Sequence, residues 1–190
     1  MAGEHRAGDE ITAWLERWAS GDRRALDRLI PALYGELRRM AHALMGQAAG
    51  VTLPPTALVH ELWIKLSQGR PSTPRDRSHF LKIAARAMRQ LLVDLARERQ
   101  AAKRGGGVEH LPLDPELPLA LPDGTDLLAL DQALARLAAE DELAAQTVEL
   151  RCFVGLTIEE TAAVQARHPS AVNRDFAFAS AYLKALLSER

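Results

Sequence analysis

Residues 78–104 read SHFLKIAARAMRQLLVDLARERQAAKR, and they decide the fold because they predict one long helix. No Gly or Pro interrupts this run before the three glycines at 105–107, which end it. Ser78 is the expected N-cap, since its hydroxyl can accept a hydrogen bond from an amide of the first turn. The apolar residues recur with helical spacing and form one stripe: Phe80, Ala84, Ala87, Leu91 and Leu95.

The same helix carries a basic row on the side opposite its apolar stripe: Lys82, Arg86, Arg89 and Arg97. Residues 75–104 hold nine Lys/Arg and three Asp/Glu, a local charge of +6, whereas the whole chain has a net charge of −1. Such a local excess predicts a surface that contacts phosphates. A solvated helix face is the alternative that this segment alone leaves open.

The composition of the chain favours an all-α protein made of one domain or two small ones. Its 190 residues are rich in Ala, Leu and Arg, and only 5% are aromatic, which is typical of helical proteins. Cys152 is the single cysteine, so no disulfide can form within the chain, as fits a reducing compartment. We expect Cys152 to be a buried apolar side chain rather than a reactive thiol.

Several classes of function lack the residues that they need. The first ten residues, MAGEHRAGDE, have no apolar core of a signal peptide, and no stretch has the length of apolar sequence that a membrane span requires. The six histidines show no metal-type spacing, and neither a phosphate-binding Gly-rich loop nor a nucleophile elbow is present. We therefore expect a cytoplasmic protein without catalysis, metal, cofactor or membrane contact.

Three helices are predicted before the basic one. Residues 9–19 form a short amphipathic helix, and Asp22 can cap the next helix, which runs to about Met45 with a kink or restart at Pro31. Thr56 is then the N-cap, or lies in the first turn, of a helix that reads TALVHELWIKLSQ. Ile64 and part of Trp63 lie off its apolar stripe, which indicates either a partner surface or further core packing.

The segments on either side of the basic helix have opposite character. The loop 69–77 carries two prolines and three arginines and enlarges the cationic surface. His79 and Phe80 could stack on an exposed base beside it, although Phe80 also fits the core. Residues 105–126 instead contain four prolines, five acidic residues and no Lys or Arg. This composition predicts an acidic linker between two helical domains.

After residue 127 the pattern becomes helical again, with a break near 138–141. Thr157 and Glu160 have the spacing of a capping box for a short helix over 158–165. Pro169 fits the first position of a longer helix that ends near Ser188. A short helix, a turn and a longer helix predict a helix-turn-helix whose Ser170, Asn173 and Arg174 would meet bases. This geometry also occurs in proteins that do not bind DNA. The residues expected in its core are Phe176, Tyr182, Leu183 and Leu186.

Three segments, in this order and spacing, resemble the bacterial extracytoplasmic-function (ECF) sigma factors over nearly the whole chain. TALVHELWIKL is similar to the polymerase-docking helix of that family, and residues 78–104 are similar to its promoter-opening helix. ELRCFVGLTIEETAAV followed by HPSAVNRDFAFASAYL resembles its C-terminal helix-turn-helix. The resemblance implies sigma domain 2 at 1–104, a linker at 105–126 and sigma domain 4 at 127–190.

The resemblance also implies roles for individual residues. Core RNA polymerase, through its beta-prime clamp helices and beta flap, and promoter DNA would be the partners. The residues at or near the polymerase-docking surface would be Leu58, Val59, Glu61, Leu62 and Lys65. Those at the minus-ten element would be His79, Phe80, Lys82, Arg86, Arg89 and Gln90. Those at the minus-thirty-five element would be Arg167, Ser170, Asn173 and Arg174.

Two departures from the family pattern bear on regulation and on DNA binding. Thr56 and Ala57 stand where the docking helix of this family usually opens with acidic residues, so a Ser/Thr kinase could restore the missing charge by phosphorylating Thr56. The turn Gln165–His168 has Ala166 in place of a Gly that favours positive φ, and Asn173 stands where Lys or Arg is common. Residues 127–190 hold six Lys/Arg against nine Asp/Glu, so upstream DNA recognition is expected to be weak or altered.

A sigma factor is therefore the leading reading of the sequence. A stand-alone regulator that binds DNA through the helix-turn-helix, and an all-α module that binds polymerase without binding DNA, remain the alternatives. An enzyme is the least favoured class.

Overall fold

The protein is described by a computed structural model in which every regular element is a helix, as the sequence predicts. No strand occurs within the residues that it describes. Most of the predicted linker 105–126, and most of the loops before the third and fourth predicted helices, lie outside those residues. The described residues are 2–45, 53–69, 74, 76–102, 118–119 and 127–188.

The described residues of the first half of the chain form five α-helices. Asp22 accepts a hydrogen bond from the Arg24 amide at 3.1 Å and caps a 3₁₀ turn, Arg23–Ala25, as predicted. The helix containing Pro31 ends at Ala32, and a new helix starts after Leu33, so the predicted restart is confirmed. The helices are α1 (Ala2–Ala19), α2 (Leu26–Ala32), α3 (Tyr34–Met45), α4 (Pro55–Gln68) and α5 (Arg77–Ala102).

Helix α4 begins at Pro55, so Thr56 is inside the helix and is not its N-cap. Pro54 is the N-cap and Pro55 is the first helical residue, where the missing amide of proline costs no hydrogen bond. Thr56 therefore lies in the first turn, which is the second of its two expected placements, and it is exposed. No acidic residue lies in this first turn.

The start of α5 differs from the prediction. Asp76, rather than Ser78, caps the helix, because the Asp76 carboxylate accepts a hydrogen bond from the His79 amide at 2.8 Å. Ser78 lies within the first turn. A carboxylate is as good a cap as a hydroxyl and adds a favourable charge at the helix N-terminus, so the earlier start is physically preferred.

The buried face of α5 also departs from the expected stripe. Phe80 and Ala84 are buried as predicted, but Ala87, Leu91 and Leu95 lie at the edges of the core and are only partly buried. Helices from both halves of the chain pack against α5. Its buried face is therefore wider than the predicted apolar stripe and includes residues next to that stripe on the helix surface. The residues that fill it, besides Phe80 and Ala84, are Leu81, Ala85, Met88, Leu92, Val93 and Ala96.

Four further α-helices lie within the described residues of the second half of the chain. Asp141 caps the second of them by accepting from the Ala144 amide at 2.9 Å, and the break falls within the predicted range. This helix continues as a π-helical segment, Glu149–Val154, a conformation that the sequence analysis did not foresee. The helices are α6 (Leu127–Glu140), α7 (Glu142–Val148), α8 (Ile158–Gln165) and α9 (Pro169–Ser188).

Helices α8 and α9 have the predicted boundaries, and both capping predictions hold. Thr157 accepts from the Glu160 amide at 3.1 Å, while the Glu160 carboxylate accepts from the Thr157 amide at 2.7 Å. The hydrogen bonds that the Glu160 carboxylate accepts from the Thr157 amide and side chain lower the pKa of Glu160, since they favour its charged form. Ala166 adopts the left-handed conformation with φ of 52°. In the predicted core Leu183 is buried, and Phe176, Tyr182 and Leu186 pack against it while partly exposed.

The two halves of the chain pack against each other through α5. Helix α5 contacts α6 and the π-helical segment, and α3 contacts the same segment. Buried residues of both halves join in one apolar cluster. The C-terminal helices therefore lie next to the α5 face that bears the basic row.

Candidate nucleic-acid interface

The basic row of α5 is not a solvated face along its whole length. Lys82 and Arg89 are partly buried, whereas Arg86 and Arg97 are exposed. The members of the row share one side of α5, because helical spacing defines the row. Lys82, Arg86 and Arg89 lie against the C-terminal helices. The solvated-face reading is therefore wrong for Lys82 and Arg89, whereas Arg86 remains 46% exposed although it pairs with Glu149.

Glu149 is the main partner of the basic row. The Arg86 Nε lies 2.9 Å from each of the two Glu149 carboxylate oxygens, and Arg89 Nη1 lies 3.4 Å from Oε1. The Glu149 side chain is only 4% exposed. A buried carboxylate requires paired charge and hydrogen bonds, and the two arginines supply both.

Arg89 is enclosed from a second direction. Its Nε lies 2.9 Å from Asp131 Oδ1, and its guanidinium carbon lies 5.8 Å from the centroid of the Phe153 ring. The Arg89 side chain is 15% exposed. One arginine of the predicted DNA surface is thus held by two carboxylates and an aromatic ring of the C-terminal half.

Lys82 lies at the edge of the same contact. Two effects lower the pKa of Lys82: burial is the larger, and the nearby positive charge of Arg86 is the smaller. The negative charge of Glu149 raises this pKa. Lys82 and His79 line a cleft of about 350 Å³ between α5 and the C-terminal helices, together with Gln146 and Gln165. Lys82 of the basic row therefore remains accessible from this polar cleft, beside the Glu149 contact.

Two further residues predicted for the minus-ten element have contrasting positions. Phe80 is fully buried and packs edge-on against Trp18, with ring centroids 5.6 Å apart. It has no exposed face on which a base could stack, and it belongs to the core, which was the alternative. Gln90 is exposed and donates from Nε2 to Asp94 Oδ1 at 2.8 Å.

The residues predicted for polymerase docking fall into two groups on α4. Leu58, Val59 and Leu62 are buried in the core, so in this structure they support the helix rather than offer a contact surface. Glu61 is exposed, and Lys65 is half-buried with its Nζ 3.9 Å from Asp94 Oδ2. Only the latter two can reach a partner directly.

An apolar groove runs beside the first turns of α4. It has a volume of about 480 Å³ and is lined mainly by apolar residues of α2 and α4, with exposed Thr56 at its edge. Trp63 closes one side and donates from Nε1 to Asp27 Oδ1 at 3.2 Å. Among the described residues that line the groove, Asp27 is the one Asp, Glu, Lys or Arg, and His60 lies one helical turn after Thr56.

The four residues predicted for the minus-thirty-five element lie around the turn between α8 and α9. Asn173 and Arg174 are exposed on α9. Ser170 is also exposed, and its Oγ lies 2.8 Å from His168 Nδ1. Arg167 forms an ion pair with Asp175. The exposed positions are available to a partner, whereas Arg167 already has an acidic neighbour.

Neither Glu149 nor Asp131 was among the site residues predicted from the sequence. Glu149 lies within the buried side of its helix, next to buried Val148 and Leu150. The available indication was a carboxylate between apolar residues in VELRCF, where Arg151 is the one other charged residue, because such a group must find a cation when it is buried. Its partners lie 63 and 60 residues earlier, and sequence spacing does not reveal them.

Cys152 is buried as predicted, and its burial raises the pKa of the thiol to about 12. Among the described residues no group of His, Cys, Asp and Glu could hold a metal ion. No helix in the described part of the chain has the length and apolar character needed to cross a membrane.

Comparison with known proteins gives one finding. The family model described as ECF sigma factor matches residues 8–189, which is almost the whole chain. No curated protein and no solved structure matches.

Proposed function

The chain belongs to the ECF sigma factor family, and we propose that it directs core RNA polymerase to a specific set of promoters as an alternative sigma factor. Sigma factors of this family bind RNA polymerase and DNA in transcription initiation and are not enzymes. The observation that carries the proposal is the basic row of α5, which follows a helix of the docking type and precedes α8 and α9 in one continuous family match.

In this proposal the chain divides into sigma domain 2 at 1–104, a linker at 105–126 and sigma domain 4 at 127–190. Lys82, Arg86 and Arg89 contact the phosphates of the minus-ten element, and neighbouring exposed Gln90 contacts a base. Extruding a base costs a few kcal/mol, which phosphate contacts offset. Phe80 takes no part in stacking, since it is fully buried.

Helices α8 and α9 act in this proposal as a helix-turn-helix at the minus-thirty-five element. Ser170, Asn173 and Arg174 are exposed at the start of α9, the part of a recognition helix that meets base edges. The acidic excess of residues 127–190 opposes nonspecific attraction to DNA. Recognition at this element is therefore expected to be weak in the isolated chain.

Thr56 is proposed as a phosphorylation site that controls docking on polymerase. Its side chain is exposed in the first turn of α4, where no acidic residue lies. A phosphate there would add about −1.5 to −2 charges at neutral pH, at a helix end that favours negative charge. No Lys or Arg is among the described residues that line the adjacent groove, so a phosphate on exposed Thr56 would be available to the polymerase.

The function is tested by mapping transcript starts on sheared genomic DNA with purified core polymerase, with and without the chain. The expected result is a set of starts that require the chain and share two upstream sequence blocks. If no start depends on the chain although it co-purifies with core polymerase, a polymerase-binding module replaces the proposal. If it binds specific DNA but not polymerase, a stand-alone regulator does.

The Thr56 proposal is tested by core polymerase binding of Thr56→Glu, Thr56→Ala and Ala57→Glu. Both glutamate variants should bind more tightly than the unmodified chain, while Thr56→Ala should equal it. Gln68→Glu is the matched control, since it adds the same charge at the exposed far end of α4, about 18 Å away. Equal binding by all variants would overturn the proposed switch.

A further inference from the structure

We infer that His168 fixes the hydrogen-bonding role of Ser170, so that at the minus-thirty-five element Ser170 accepts a hydrogen bond from an amino group of adenine or cytosine. His168 is then a positioning residue, because it acts on DNA through Ser170. This inference deepens the proposed function of α9 and rests on it. It names the class of base edge that one recognition residue selects.

The backbone of His168 is the N-cap of α9. Its carbonyl oxygen accepts from the Ala171 amide at 3.0 Å and from the Val172 amide at 3.3 Å, and these are the first hydrogen bonds of the helix. Pro169 disfavours helical backbone at the residue before it, and an N-cap residue is non-helical. A histidine therefore stands where Ser, Thr, Asp or Asn is the usual residue.

The imidazole ring of His168 makes the capping contact as well. The Ser170 amide donates to His168 Nδ1 at 3.2 Å, so the ring satisfies one of the amides that have no partner within the first turn. An amide can only donate, and Nδ1 is therefore an acceptor that carries no proton. The neutral ring then carries its proton on Nε2.

The same nitrogen determines the direction of a second hydrogen bond. Ser170 Oγ lies 2.8 Å from His168 Nδ1, and because this nitrogen carries no proton, the serine hydroxyl is the donor. A hydroxyl has one proton, so Ser170 Oγ keeps only its lone pairs for a further partner. Ser170 is exposed, and these lone pairs are what its side chain offers to DNA.

The turn that carries His168 is tied to both helices of the predicted helix-turn-helix. Arg167 forms an ion pair with Asp175 of α9, and the Arg167 amide donates to the Ala162 carbonyl of α8 at 2.9 Å. These contacts fix the residue next to His168. The pair of His168 and Ser170 is thus arranged in the free chain, before any DNA is bound.

An acceptor at Ser170 distinguishes two classes of base. In the major groove adenine and cytosine each present an amino group, whereas guanine and thymine present acceptors and no hydrogen-bond donor. A serine hydroxyl that can rotate pairs with either class. Because Ser170 is restricted to accepting, it should favour A or C on the strand that it faces.

The test selects bound sequences from a pool of random duplexes, with core polymerase carrying the full chain as wild type, Ser170→Ala, His168→Gly or His168→Asn. In wild type, one position of the upstream block should favour A or C over G or T on the order of tenfold. Ser170→Ala should abolish this preference by removing the hydroxyl. His168→Gly should abolish it by freeing the hydroxyl to donate, while glycine remains an acceptable N-cap.

His168→Asn is the matched control, because the side-chain oxygen of asparagine caps a helix and can also accept from the Ser170 hydroxyl. This variant should keep the preference for A or C. An upstream block in which His168→Gly keeps the wild-type preference would overturn the inference alone. Failure of the wild type to select any upstream block would overturn the proposed function of α9, and the inference with it.

The tautomer of His168 can be measured without DNA. Nitrogen-15 NMR of the full chain at about pH 8, where histidine side chains are ordinarily neutral, should show His168 protonated on Nε2 and not on Nδ1. The signals missing from the spectrum of His168→Asn identify this ring. A proton on Nδ1 would overturn the inference, and this result does not depend on the proposed sigma function.

Discussion

Arg89 joins the two halves of the chain and also belongs to the basic row of the proposed DNA surface. Its spacing on α5 marks it as part of a phosphate-contacting row, yet in the isolated chain it bridges Asp131 and Glu149. An arginine suits both tasks, since its planar donors bind carboxylate and phosphate alike. Arg89 therefore contributes to the packing of the two halves in this structure, and the proposed function would give it a phosphate contact as well.

The stability role of Arg89 gives a first prediction. Arg89→Met leaves buried Glu149 with Arg86 as its single cation partner and removes the ion pair of Asp131. Breaking a buried pair in this way is expected to lower the free energy of unfolding by about 3 kcal/mol. Arg97→Met, an exposed change on the same helix, should cost less than about 0.5 kcal/mol. Urea unfolding of both variants measures the difference, and equal losses would contradict the bridging role.

The second prediction concerns the thiol of Cys152. Its pKa is raised by burial from 9.0 to about 12, and the thiolate is the reactive form. At pH 8 the folded chain should react with a disulfide reagent on the order of a thousandfold more slowly than the unfolded chain. Because the unfolded state releases its proton at lower pH, this group should also destabilise the fold as pH rises from about 9 to about 12. Comparable labelling rates before and after urea unfolding would refute the burial argument.

At the scale of secondary-structure elements, the sequence predicts those features that are local. Pro31, Asp22, Asp141 and the Thr157–Glu160 box each act within one helical turn, and the structure places breaks and caps where they predict them. The cap of α5 was misassigned because two good capping residues lie two positions apart. Its buried face was misassigned because helical spacing shows where apolar residues lie but not how many neighbouring elements cover them.

The turn before α9 gives the prediction at this scale. Ala166 adopts φ of 52°, a conformation that costs a residue with a Cβ about 1–2 kcal/mol. Ala166→Gly should therefore stabilise the chain by about 1 kcal/mol, because glycine adopts this conformation without strain and is the preferred residue at the end of a helix. Ala163→Gly, at an exposed position inside α8, should instead destabilise it by about 1 kcal/mol. Thermal unfolding separates the two, and a loss of stability in both would contradict the strain at Ala166.

At the scale of the whole molecule, the packing of the two halves could not be predicted. The Arg86–Glu149 contact joins residues 63 positions apart, and no local rule relates them. The sequence did show the two charge excesses, a basic helix and an acidic C-terminal half. We interpreted the acidic excess as a weakness in DNA recognition, whereas in this structure part of it also pairs with the basic row.

The packing of the two halves against each other predicts the radius of gyration of the isolated chain. A compact globular chain of 190 residues has a radius of gyration of about 16 Å. We expect solution scattering from the isolated chain to give a value near this and a pair-distance distribution with one maximum, because α5 packs against helices of both halves. Two maxima, as from two separated bodies, would show that the halves do not stay together.

Promoter melting tests most directly whether the basic row of α5 acts on DNA. Permanganate reactivity of thymines near the start site would be measured on a promoter that requires the chain, with polymerase carrying wild type, Lys82→Gln/Arg86→Gln or the control Arg28→Gln/Arg38→Gln. The control removes the same charge from exposed positions on α2 and α3. Wild type and control should melt the promoter, whereas Lys82→Gln/Arg86→Gln should bind core polymerase and leave the thymines unreactive. Melting by that variant at the wild-type level would contradict the assignment of α5 as the promoter-opening helix.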